Sequence, residues 1–287
     1  MKKSSIRSSI LLISIALCEI NAQEFVYHRM FRDVSKMRTI DSGNVRIWYA
    51  LNATDVKNPD TYDDFQRLEI GKQFSLYYSY FSFQSDSLCT AKRTGAPTRC
   101  FLRIGKKSHN WSEYYYTDYL KDFNENNLTE FTYMPVNIPN SQFTEVIPVQ
   151  LWKMHDETAY IDGYLTQKAT CRFRGRNFTA WFATEIPINN GPWKFSGLPG
   201  LILKVYDDEK LFTFEAVKIE FHDVPFPIKM HEINNNFQSQ TNFLIYRKLM
   251  SDIWEDYFRI AGFTRSGDGP PLPSNPKGSY QPLELEK

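Results

Sequence analysis

The stretch that decides the fold is Gly197-Leu198-Pro199-Gly200-Leu201-Ile202. Pro199 presets φ for the second position of a tight turn, and Gly200 is expected to supply the positive φ that a type II turn needs at its third position. Apolar β-formers run from Leu201 to Val205, Asp207-Asp208-Glu209-Lys210 interrupts them, and Leu211 to Val217 resumes. That is a β-hairpin entered through a rigid corner. None of the six side chains titrates, attacks or ligates, so the motif shapes backbone and performs no chemistry.

Working outward, the chain reads as a meander of hairpins rather than βαβ crossovers. Strand signals cover Phe25 to Tyr27 and Val45 to Leu51, and a polar stretch from Pro59 to Leu68 has room for a short helix. Phe74, Leu76, Tyr78 and Tyr80 then alternate with Ser75, Tyr77, Ser79 and Phe81 at period two. Cys100 to Ile104 is read as the return arm of a hairpin. Trp111 to Phe123 is crowded with aromatics; one buried face is preferred there over a binding platform.

Shorter β runs follow at Leu128 to Tyr133, Phe143 to Val149 and Ala159 to Tyr164, the last after a turn at His155-Asp156-Glu157. Gly175-Arg176-Asn177 is a turn signal between Thr170 to Phe173 and Phe178 to Thr184. From Thr241 to Ile260, Tyr246, Leu249, Met250, Ile253, Trp254, Tyr257 and Ile260 recur at helical steps, with Thr241 as N-cap and Gly262 as stop. Pro270, Pro271, Pro273, Pro276 and Pro282 then predict an extended, mobile tail. The expected architecture is mainly β: one curled antiparallel sheet, a half-barrel or open barrel, with a C-terminal amphipathic helix against it. Three parts are expected: a leader over 1–22, one β-rich domain over 23–263 and a Pro-rich tail over 264–287.

The hexapeptide and its flanks also carry a resemblance. Lys168-Ala169-Thr170, Gly175-Arg176, Ala180-Trp181-Phe182, Glu185-Ile186-Pro187 and Gly191-Pro192-Trp193-Lys194-Phe195 precede the intact motif in order. From about Tyr164 to Tyr206 the chain resembles the GLPGLI family of exported Bacteroidetes proteins. The resemblance implies export and no agreed activity. At the level of fold, a curled sheet with a helical plug is similar to periplasmic carriers of the lipoprotein-chaperone type.

The N-terminus agrees with export. Lys2, Lys3 and Arg7 precede an apolar run from Ile10 to Leu17, and Ala22 supplies a small residue for cleavage. Lipid anchoring through Cys18 is the competing reading, but Leu17 is too large for a lipobox. Loss of the leader takes 34 cations to 31 and 33 carboxylates to 32. A near-neutral chain without a basic run has no footprint for nucleic acid. No later segment has the length and apolarity of a transmembrane helix, so the mature protein is expected to be soluble, in the periplasm or outside the cell.

Export makes cysteines candidates for oxidation. Cys89 and Cys100 flank a loop holding Gly95 and Pro97, and a bridge there is expected to stabilise by about 3 kcal/mol in the loop-entropy picture. Cys171 is left over and reads as a small buried hydrophobe. Relatives often have a cysteine where this chain has Thr166.

The search for chemistry returns little. No two of the five histidines have zincin spacing, so neither a metal nor a cofactor is implied. Ser196 lacks the glycine two places earlier that a nucleophile elbow needs, Lys194 standing there. His155, Asp156 and Asp162 read better as solvated turn charges than as an acid/base group. The candidate ligand-binding residues are Arg176, Trp181, Glu185, Trp193 and Lys194. Arg176 can clamp a carboxylate or phosphate bidentately while a tryptophan stacks on the ligand; the competing reading is an ion-paired arginine and packed indoles. The favoured function is an exported, non-catalytic binding or accessory protein for a small molecule, a peptide or an envelope protein. An exported hydrolase whose acid/base groups converge only in the fold is the alternative.

Overall fold

The structure, a computed structural model, describes residues 32–92, 116–135, 137–231, 237–240, 242–260 and 282–286. Its strands are β1 (Met37–Leu51), β2 (Asp64–Gly71), β3 (Phe74–Ser79), β4 (Thr117–Asp122), β5 (Asn127–Thr132), β6 (Asn140–Val146), β7 (Lys153–Ile161), β8 (Tyr164–Phe173), β9 (Arg176–Ala183), β10 (Leu201–Asp207), β11 (Thr213–His231) and β12 (Phe237–Gln240). Helix α1 (Tyr80–Ala91) follows β3, and α2 (Phe243–Ile260) follows β12, with a break at Asp256 (φ −150°, ψ 69°). The strands form one sheet in the order β12-β6-β5-β4-β3-β2-β1-β11-β10-β9-β8-β7. Every neighbouring pair is antiparallel except β12 with β6. The sheet is open, with β12 and β7 as its two edges.

The sheet curls around the segment between β9 and β10. Lys121 on β4 donates from Nζ to the Asn190 side chain and the Phe195 carbonyl, both at 2.9 Å. Just past the segment, Tyr49 on β1 donates to the carbonyl of Ile202 on β10 at 2.8 Å. From beyond the other side, Trp152 Nε1 donates to the Ser196 carbonyl at 2.7 Å. One segment thus meets strands from both wings. The half-barrel is filled by Trp193, Phe195, Phe173 and Phe178, whose rings meet edge-on or tilted.

The motif turns the chain by a different device from the one expected. Gly200 does not have a positive φ; Gly197 does, at 89°. Gly200 is needed for space, because a Cβ there would collide with the Ala183 carbonyl oxygen, which is backbone and cannot swing away. The hairpin after it forms as read. Asp207 accepts from the Phe212 amide at 2.8 Å, closing the turn between β10 and β11.

Other turns shift by a few residues. His155 to Glu157 is not a turn but an irregularity in the β7–β8 register between Met154 and Thr158. The chain reverses at Asp162 and Gly163, with φ of 49° and 82°. Likewise Arg174 and Gly175, at 50° and 81°, make a two-residue reversal, which frees Arg176 to begin β9. The polar stretch after Pro59 holds one 3-10 turn, Pro59–Thr61, before β2. The Asn242 side chain accepts from the amides of Leu244 and Ile245 at the start of α2; Thr241, the expected N-cap, lies outside the described residues.

Cys89 lies buried on α1, not on a hairpin arm. Its expected partner Cys100 lies outside the described residues, as do the leader, Cys18, Phe25 to Tyr27 and Trp111. Among the described residues no helix is long and apolar enough to cross a membrane. The last departure is at the C-terminus. Residues 282–286, inside the stretch expected to be mobile, are packed on the domain, with Leu283 in the main core and Glu284 buried.

Candidate functional site

The site is built from five other parts of the chain around Lys194, whose side chain is 0% exposed. On β5, Leu128, Glu130 and Thr132 share the inward face, and Glu130 is the charge among them. Glu145 comes from β6, Arg174 from the β8–β9 turn, and Arg247 from the first turns of α2. Trp193, at φ 52°, turns the backbone just before Lys194.

Lys194 Nζ lies 2.6 Å from Glu130, 2.7 Å from Glu284 and 3.2 Å from Glu145. Arg174 reaches Glu145 at 2.5 Å and Glu284 at 3.1 Å. Arg247 pairs with Glu130 at 3.1 Å and also with Glu284. Phe243 lies beneath all three cations, its ring centre 5.1 Å from Arg174, 6.0 Å from Lys194 and 5.1 Å from Arg247.

Among the described residues three cations therefore face three carboxylates, one of them supplied by the C-terminal segment. Burial drives the Lys194 ammonium down, against the pull of Glu130, and leaves it below its ordinary value. Burial pushes Glu130 up, but Lys194 and Arg247 together overcome it and hold this carboxyl below the usual range.

Arg176 makes a second, adjoining contact with the same segment. It donates to the Pro282 carbonyl at 2.7 Å, pairs with Asp207 at 3.2 Å and Glu209 at 3.6 Å, and lies over Phe212. The Leu285 amide donates to the Arg174 carbonyl at 2.9 Å. Residues 282–286 are held as a bound peptide is: by main-chain bonds, one apolar side chain, the buried Glu284 carboxylate and an exposed pair of Glu286 with Arg172 at 3.2 Å.

With this geometry in view, the chain can be set beside known proteins. The signature of a family described as "Protein of unknown function (Porph_ging)" matches residues 174–204. No curated protein matches. Two structures of PNGF-II align over 74% of this chain and 34% of theirs, at 13% identity and TM-scores of 0.46 and 0.45. An uncharacterized conserved protein from Thermus thermophilus aligns over 69% of this chain and 91% of its own, at 7% identity and a TM-score of 0.36. The chain thus spans about a third of the length of PNGF-II. At these scores the likeness carries no argument about activity. The family match takes in Arg174, Arg176 and Lys194; the carboxylates that face them lie outside it.

Of the residues singled out in the sequence, the structure brings Arg176, Trp193 and Lys194 to this site. Lys194 Nζ lies 5.6 Å from the Trp193 ring centre. Trp181 is half-buried on β9, beside Lys168 and Lys204 in the pairing, and Glu185 is exposed, accepting from the Leu165 amide at 3.3 Å. Neither touches the cluster. His155 meets Thr170 at 2.8 Å near the start of β7, while Asp162 lies past its end. Cys171 is buried and its thiol is pushed up to about 12 by burial, which removes it as a nucleophile.

The sequence reading missed Glu130, Glu145, Arg174, Arg247 and Glu284. One signal was available: a glutamate at the inward parity of a short strand, between Leu128 and Thr132, requires a buried cation.

A second buried amine lies nearby. Lys121 has two neutral acceptors, the Asn190 side chain and the Phe195 carbonyl. Burial lowers it to about 7. A neutral amine has two N–H groups, and both are used.

Proposed function

We propose that this chain is an exported, non-catalytic binding or accessory protein that acts in the periplasm or at the cell surface. The observation that carries the reading is the peptide-like seating of residues 282–286 in a cleft whose cations meet their one buried carboxylate. A site built this way recognises and holds. It is poorly arranged for the hydrolase alternative, because Lys194 and Arg247 hold the Glu130 carboxyl below its usual range, which does not suit a general acid, and Glu145 and Glu284 are each engaged in ion pairs. The ligand is a small molecule, a peptide or an envelope protein. No cofactor enters the account.

Native mass spectrometry of the protein purified from its own envelope, before and after denaturation, tests the reading. A companion mass that survives in the native spectrum and leaves on unfolding is the expected result. A protein that is consistently alone, and that turns over ester or peptide substrates, would replace binding with catalysis.

A further inference from the structure

Glu284 is the one carboxylate that reaches all three cations: it lies 2.7 Å from Lys194, 3.1 Å from Arg174, and pairs with Arg247. Removing it takes a partner from each of three largely buried cations at once, which burial makes costly. The vacant place has the requirements of one carboxylate. Beside it the main core has a place for one aliphatic side chain, filled by Leu283, and the two flanking main-chain partners are the Arg176 guanidinium and the Arg174 carbonyl. A free amino acid or simple carboxylate satisfies the charge and leaves the rest empty. An extended peptide satisfies all four.

We propose that this cleft is a receptor site for an acidic peptide segment of another protein, with a leucine-glutamate pair entering as Leu283 and Glu284 do, and that residues 282–286 are its occupant in cis. The inference rests on the binding function proposed above and names the class of ligand. The tethered segment competes as an intramolecular ligand, at an effective concentration that a partner in solution has to exceed. A partner therefore binds the intact protein weakly until the tail is displaced, and binds strongly once the tail's own carboxylate is gone. Arg176, which the Asp207 and Glu209 carboxylates already share, serves as a positioning residue for the peptide backbone.

The test uses the full chain and a labelled synthetic peptide, Pro-Leu-Glu-Leu-Glu-Lys, the sequence of residues 282–287. Fluorescence anisotropy is measured on the wild type and on Glu284→Gln. The variant should bind at least about tenfold more tightly than the wild type, because the cis competitor has lost its charge. A peptide with glutamine in place of its first glutamate should bind neither chain. Leu283→Ala, which removes the aliphatic anchor and keeps the carboxylate, is the second variant should Glu284→Gln fail to fold, and should also gain peptide binding. Folded variants that ignore the peptide, or that bind the glutamine peptide equally well, overturn the proposal. Loss of this result alongside a companion mass in the native spectrum removes the acidic-peptide assignment and leaves the binding function standing. Peptide binding by a protein that purifies alone keeps the cleft and points to a partner lost on purification.

Discussion

One buried lysine, Lys194, belongs to the segment between β9 and β10 and another, Lys121, reaches it from β4, and they solve burial in opposite ways. Lys194 is enclosed by three carboxylates and two guanidiniums, whereas Lys121 meets only an amide oxygen and a backbone carbonyl. Desolvation penalises the charged form at both. At Lys194 opposite charges offset the penalty, so the amine belongs to an ion network that fails if one member leaves. At Lys121 nothing offsets it, so the amine titrates near neutrality and its hydrogen bonds suit the neutral form. A buried charge with charged partners is held by a network, and one with only neutral partners is left to titrate.

The comparison is broken most severely at Lys194. Lys194→Met leaves three buried carboxylates with two guanidiniums, and chemical denaturation should show a loss of about 3–5 kcal/mol. A loss under about 1 kcal/mol would mean that the network is relaxed or hydrated. Gly200→Ala attacks the corner that sets the common segment. Its new methyl meets the Ala183 carbonyl, and a cost of about 1–3 kcal/mol should be read in the same assay.

The pH dependence sharpens the Lys121 side. The folded pKa, about 7, lies below the ordinary 10.5, so the unfolded chain binds the extra proton between those values and stability rises with pH across that window. The gain from this group should be about 2 kcal/mol between roughly pH 7 and pH 9. Lys121→Met should remove that slope. At neutral pH the substitution itself should change stability by less than about 1 kcal/mol, since relief of the buried amine offsets the donor lost at the Phe195 carbonyl, while the Asn190 side-chain oxygen keeps the Gly191 amide at 2.9 Å. A slope that survives in the variant would assign the titration elsewhere.

Much of the fold was legible because it is local. The hairpin after Gly200, the alternation in β3 and the apolar stripe of α2 each follow from periodicity over a few residues. The errors were in turn chemistry. Arg174 occupies a left-handed position that its side chain does not advertise, Asp162-Gly163 is an Asp-Gly reversal that the sequence does advertise but that was placed at His155 to Glu157, and Gly200 was assigned a dihedral role where its role is steric. The site was half legible. Lys194 and Arg176 stood out as cations beside aromatics, but the carboxylates that pair with Lys194 are 49 to 90 residues away along the chain. Only the curl of the sheet and the return of the C-terminus bring them together. Proline-rich composition before Pro282 argued for mobility, and it says nothing about a short segment anchored by Leu283 and Glu284.

The central claim is that the C-terminal segment occupies the Lys194 cleft, and amide hydrogen exchange at Leu285 tests it most directly. Its amide donates to the Arg174 carbonyl. In the wild type it should exchange at least about a hundredfold more slowly than in the free peptide, and Glu284→Gln should abolish most of that protection. Exchange at the free-peptide rate in the wild type would contradict the account, because the cleft would then be empty in solution.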